Sequence, residues 1–83
     1  MKIYWHNGSK NIIGQRVKEA RKNASPPLTQ QDLSARLEVN GYLIDRVSIS
    51  KIEAGDRFVA DYEVVAIAQA LNIPVKWLLT GTN

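Results

Sequence analysis

The chain has no cysteine, so neither a disulfide nor a thiolate metal site is available to it, as suits a reducing cytosol. Its single histidine, His6, has no second His and no nearby carboxylate, which falls short of the set that a metal or a proton-transfer site needs. No apolar run approaches the ~18 residues of a membrane span. The opening MKIYWHNGSK lacks the apolar core of a signal peptide. A glycine-rich phosphate loop, a carboxylate pair and a nucleophile–base set are also missing, and 83 residues leave little room for a pocket. Catalysis is therefore not expected, nor a cofactor, a metal ion or a membrane partner; the expected location is cytoplasmic.

What remains is enough for one small core, burying roughly 60% of the surface of the unfolded chain. Charge is unevenly placed. Up to Lys22 six basic residues stand against Glu19 alone, whereas from Phe58 onward Lys76 faces Asp61 and Glu63. A positive excess in one half suits a polyanion, and the total of +3 also serves solubility.

The informative stretch is Leu28 to Gly55. Thr29 precedes an apolar-periodic run (Leu33, Leu37) and has Asp32 three residues on, a weaker relative of the Ser/Thr-x-x-Glu capping box. Leu28 and Leu33 have the spacing of a hydrophobic staple. Asp45 repeats the scheme as an acidic N-cap, with Ile44 and Ile49 as its staple and Ile52 a turn further. Between them, Asn40-Gly41 offers a left-handed helix stop. The reading is helix, turn, helix, the second helix short and rich in Ser, Lys and Arg.

Five helices are expected, at about 11–23, 29–40, 45–54, 61–71 and 74–80, within a domain spanning 11–81 behind an arm of residues 1–10. In the arm Ile3, Tyr4 and Trp5 are too apolar for a free tail and are expected to pack. Helix 1 carries Ile13, Val17, Ala20 and Arg21 on one face, with Arg16, Lys18 and Lys22 outward, and Ala24-Ser25-Pro26-Pro27 ends it. Asp61 is expected to cap helix 4, whose buried stripe is Val64, Ile67, Ala68 and Leu71. Asn72 closes that helix. Pro74 opens the last one, which contributes Trp77 and Leu78 to the core and stops at Gly81. No strand, internal repeat or low-complexity segment is evident, so the class is all-α.

The pattern Ile13-Gly14-x-Arg16-Val17-Lys18-x-x-Arg21, Leu28-Thr29-Gln30-x-x-Leu33-Ser34-x-x-Leu37, Ile49-Ser50-Lys51-Ile52-Glu53-x-Gly55, Ile67-Ala68-x-Ala70-Leu71-x-Ile73 and Trp77-Leu78-Leu79 resembles the Cro/phage-repressor (XRE-type) helix-turn-helix family over residues 12–80. The resemblance implies a compact five-helix, lambda-repressor-like DNA-binding domain in which the second and third helices form the reading unit. Two features depart from the commonest form. The link at Ser25-Pro26-Pro27 is two residues longer. About five extra residues separate helices 2 and 3, and Glu38 stands where the family usually has its turn glycine. A second helix reaching Val39 or Asn40 and a looser turn are expected, with Leu43 or Ile44 folded onto the core.

A helix in the major groove reads base edges with side chains near its N-terminus. Arg46, Val47, Ser50 and Lys51 point away from Ile49 and Ile52 and are the candidate readers: Arg46 for guanine O6 and N7, Val47 for a thymine methyl or else for packing on Tyr42. Ser50 can bond several base edges, and Lys51 can reach guanine or a phosphate. Asp45 is a structural cap, because its charge repels phosphate. By resemblance Thr29 and Gln30 match phosphate-clamping positions at a helix start, where free amides favour an anion. Arg16, Lys18 and Arg57 are further candidate clamps. Arg21 matches a position that pairs with Glu53, which makes Glu53 structural and not an acid catalyst.

The resemblance thus implies a sequence-specific regulator of double-stranded DNA, of prophage-repressor, restriction-control or antitoxin type, working by operator occupancy. One copy reads few base pairs, so a homodimer on a pseudo-palindrome with half-sites about 34 Å apart is expected. Its surface is either the last helix with Trp77 and Leu79 or the Tyr4-Trp5 segment. The alternative is an interaction module that kept the fold without operator binding. An end at Leu79-Thr80-Gly81 leaves room for a longer regulator carrying further parts.

Overall fold

Helix boundaries in this chain follow short-range hydrogen bonds, and the computed structural model, which describes residues 6–83, has five helices among them. The expectation for Ile3, Tyr4 and Trp5 lies outside the described residues. Helix α1 runs Gly14–Asn23 and starts three residues later than the sequence suggested. The reason is Asn11, whose Oδ1 accepts the Ile13 and Gly14 amides at 3.1 and 2.8 Å and so acts as a cap ahead of the helix. Its end at Ala24 is extended, on the approach to Pro26.

Helix α2, Gln30–Val39, begins at a complete reciprocal box: Thr29 Oγ1 accepts the Asp32 amide at 3.0 Å and Asp32 Oδ2 accepts the Thr29 amide at 2.9 Å. It ends at Gly41, whose φ of +88° lets its own amide reach Glu38 O and that of Tyr42 reach Leu37 O, both at 2.9 Å. Six residues, 40–45, then lead to α3, Arg46–Ala54. Of the two apolar residues there, Ile44 is buried and Leu43 is 87% exposed. The Ser34 hydroxyl fixes the turn by donating to Ile44 O at 2.9 Å. Asp45 Oδ1 caps α3 by accepting the Ser48 amide at 2.8 Å.

Helix α4, Asp61–Leu71, corrects one expectation. Asp61 is its first residue and not its cap; its carboxylate accepts from the Tyr62 amide, while Glu63 reaches back to the Ala60 amide at 2.9 Å. Asn72, at φ +56°, stops α4 as expected. Helix α5 is Val75–Thr80 and ends at Gly81.

The helices meet around Ile13, Val17, Leu33, Leu37, Ile49, Ile52, Ile67 and Leu78, each less than 2% exposed. A fully buried aliphatic side chain of this size stabilises by about 1.5–3 kcal/mol, so these eight side chains are the principal stabilising set. Both staple pairs, Leu28 with Leu33 and Ile44 with Ile49, fall inside this core. Trp77 does not. It is half-buried and lines a groove with Ala20, Ala24, Leu71, Ile73 and Pro74, leaving Leu78 as the core residue of α5. Helix α3 packs on α1 and α2, α2 also on α4, and α5 on α4.

Candidate nucleic-acid interface

Burial divides α3 cleanly in two. Ile49 and Ile52 are each 1% exposed, while Arg46, Val47, Ser50 and Lys51 are all exposed. The division follows from the 3.6-residue period: side chains three apart go inward and those between them cannot. Val47 remains 53% exposed, so packing against Tyr42 does not cover it. No hydrogen bond or ion pair within the described chain occupies Arg46 or Lys51. The Asp45 carboxyl sits below its ordinary range because the Ser48 backbone amide, then the Ser48 hydroxyl, bonds its charged form; the positive charges of Lys51 and Arg57 add a little. It therefore stays ionised as a cap.

The first turn of α2 is less open than the sequence implied. The Thr29 hydroxyl and the Asp32 amide satisfy each other, and Asp32 brings a negative charge to the helix end. The Gln30 and Gln31 amides have no acceptor among the described residues and remain for an anion. The Gln30 side chain donates from Nε2 to Glu53 Oε1 at 3.2 Å, which uses one of its two N–H groups.

Other candidate clamps have occupations of their own. Arg16 donates to Leu78 O at 2.8 Å from Nε, and to Ile12 O and Leu79 O at 3.0 and 3.1 Å from Nη2. It ties α1 to the last carbonyls of α5, a helix that packs on α4, and so does not stand outward as its helical position suggested. Arg57 forms a two-pronged pair with Glu63 at 3.0–3.1 Å and also donates to Phe58 O. That pairing lowers the Glu63 pKa and raises that of Arg57. Lys18 is exposed on α1. Arg21 and Glu53 do come together, with Nε to Oε2 at 2.9 Å and both side chains nearly buried (11% and 5% exposed).

Three contacts were not anticipated from the sequence. Asn11 donates from Nδ2 to Ile52 O at 3.1 Å and to Arg57 O at 2.9 Å. Gly14 lies so near α3 that an added Cβ would overlap the Ile52 carbonyl oxygen. Arg36 joins α2 to α4 through Ala70 O at 3.0 Å. Two of these had a local signal. Asn11 has the side chain of a cap and stands three residues ahead of Gly14, and a glycine inside a helical pattern is a weak sign of a packing reason. Nothing local points Arg36 at Ala70.

Among the described residues no group of three His, Cys, Asp or Glu side chains is placed to hold a metal, and no helix is long and apolar enough to cross a membrane. The arrangement is a capped helix held on one face and bare on the other, beside a helix start with two unpaired amides. Comparison with curated proteins and comparison with solved structures each gave no match. Among protein families, residues 14–83 match a helix-turn-helix domain, a span that takes in all five helices, and the chain belongs to that family.

Proposed function

We propose that this protein is a sequence-specific regulator that binds double-stranded DNA as a homodimer and represses by occupying a pseudo-palindromic operator. Family membership supports the DNA-binding part. The single observation that carries the finer reading is the bare face of α3, where Arg46, Val47, Ser50 and Lys51 are exposed together. Arg46 presents the fork that matches guanine O6 and N7, and Lys51 supplies a mobile cation for base or phosphate. Phosphate contacts at the Gln30 and Gln31 amides, with the second Gln30 N–H, fix the register. Lys18 and Thr29 add to it. Arg57 is secondary because it is paired with Glu63, and Arg16, bonded to three carbonyls, is a structural tie and not a clamp. Two copies related by a two-fold axis put two α3 helices into successive major grooves. Helix α5, with Trp77 in its groove and Leu79 37% exposed, is the dimer surface this reading prefers.

Selection of binding sites from random duplex DNA tests the whole of it. A palindromic consensus with guanine and thymine positions is expected; recovery of no consensus sinks operator binding. A second reading, an interaction module that has kept the fold, draws on Val39 and Leu43, which are 86% and 87% exposed at the end of α2 and in the turn. That module predicts no DNA selection and no effect of salt on its partner binding beyond simple screening.

A further inference from the structure

We propose that Asn11 is a positioning residue for DNA readout, holding the far end of α3 so that the four exposed side chains of its first turns meet a duplex at fixed depth and tilt. The inference rests on the DNA-binding reading above and adds a residue to it that touches no DNA.

One amide group does four things. Its oxygen accepts the Ile13 and Gly14 amides at the start of α1, and its nitrogen donates to Ile52 O in the last turn of α3 and to Arg57 O just beyond. Two elements distant in sequence are thus joined through a planar group with little freedom left. Adjacent bonds tighten the same joint. Lys10 N donates to Gly55 O at 2.8 Å, and Gly14, lacking a Cβ, lets α1 lie directly against the Ile52 carbonyl. Ile52 O also accepts the Gly55 amide at 3.1 Å, so the Asn11 donor takes its second lone pair and adds a tie from α1 to a helix end that is already capped.

Leverage makes the anchor matter. Helix α3 has nine residues and is therefore about 14 Å long. A tilt of about 10° at its C-terminal end moves the other end by about 2 Å, well outside the ~0.5 Å within which recognition groups must be held. The six-residue turn before α3 is pinned at Ile44, which is buried and bonded through its carbonyl to Ser34, so the N-terminal end of α3 is held at that point while Leu43 stands exposed. With one end held at Ile44, the joint at the other end sets the tilt of the helix axis.

The test compares wild type, Asn11→Ser and Asn11→Asp on the selected duplex and on a scrambled duplex of equal length and composition, with thermal melting recorded for each. Serine still caps α1 but cannot reach Ile52 or Arg57. Aspartate keeps the shape and the cap while turning the donor into an acceptor that faces two carbonyls. With binding read well below each melting midpoint, affinity for the selected site should fall about tenfold, comparable to one lost base contact, and affinity for the scrambled duplex should stay put. Simple loss of folded protein lowers both affinities together, so the ratio isolates positioning. An unchanged ratio in folded Asn11→Ser, or a parallel fall on both duplexes, overturns the assignment while leaving DNA binding intact. Wild-type protein that fails to discriminate the two duplexes overturns both.

Discussion

Arg21 and Glu53, 32 positions apart in the chain, form a two-pronged pair in which Nε meets Oε2 at 2.9 Å and Nη2 meets Oε1 at 3.0 Å. The remaining guanidinium nitrogen donates to Leu28 O at 2.9 Å, and the Gln30 amide leans on the same carboxylate. Helix α1, the chain before α2, the first residue of α2 and the last turn of α3 are thus held at one point. The hydrogen bonds that the guanidinium donates to Glu53 raise the Arg21 pKa further, so it is charged at every pH of interest.

Breaking that pair from one side leaves a buried charge alone. Arg21→Ala or Glu53→Ala should each lower unfolding stability by about 3–5 kcal/mol, while Arg21→Met combined with Glu53→Leu should recover most of the loss. Urea titrations decide it. Additive losses in the double variant would mean that the two charges do not depend on each other.

Acid sensitivity follows from the carboxyls held below their ordinary values of 3.8 for Asp and 4.5 for Glu: Asp32 by the Thr29 amide, Asp45 by the Ser48 amide and Glu63 by the Arg57 guanidinium. Each binds its proton less readily folded than unfolded. Its contribution is therefore complete above the ordinary carboxyl value and drains away as pH falls through the lowered one. Melting temperature should be flat near neutrality and drop below about pH 4.5. Glu63→Gln should melt lower at neutral pH and show a shallower acid decline; equal slopes for the two proteins would contradict the Arg57 pairing.

Gly14→Ala sets two magnitudes against each other. Alanine in an open helix gains about 1 kcal/mol over glycine. Here the added methyl would overlap a backbone carbonyl of α3, which cannot swing aside as a side chain does. Overpacking costs about 1–3 kcal/mol, so a net loss is expected, together with poorer discrimination between selected and scrambled duplexes. A Gly14→Ala protein that is more stable than wild type and equally selective would show that α1 and α3 have slack between them.

Local chemistry was what the sequence made readable. Thr29, Asp45, Gly41 and Asn72 cap or stop helices through neighbours within a few positions, and the apolar spacing that marks Ile49 and Ile52 as buried also exposes Arg46 and Lys51. Two residues were misjudged from their positions alone, Arg16 through distant partners and Asp61 through near ones. Helical position makes Arg16 an outward cation, yet α5 brings the carbonyls of Leu78 and Leu79 to it. Asp61 has a cap's composition, but Glu63 reaches Ala60 and moves the helix start back by one residue. Of Leu43 and Ile44, the one with the staple spacing to Ile49 turns inward, and Ser34 bonds its carbonyl there.

That contrast sharpens the DNA predictions. Arg46→Ala should cost about 1–3 kcal/mol on the selected site, relax one base position and leave scrambled DNA unaffected. An equal loss on both duplexes would remove it from direct readout. Lys51→Ala, if the amine meets phosphate, should reduce the slope of log affinity against log salt by about 0.9. Arg16→Ala separates structure from contact. Its guanidinium is bonded to three carbonyls at the α1–α5 joint, so removing it should lower stability by about 1–2 kcal/mol and leave the salt slope where it was. A slope that falls with Arg16 and not with Lys51 would move the phosphate contacts from α3 to the α1–α5 joint, and the duplex with them.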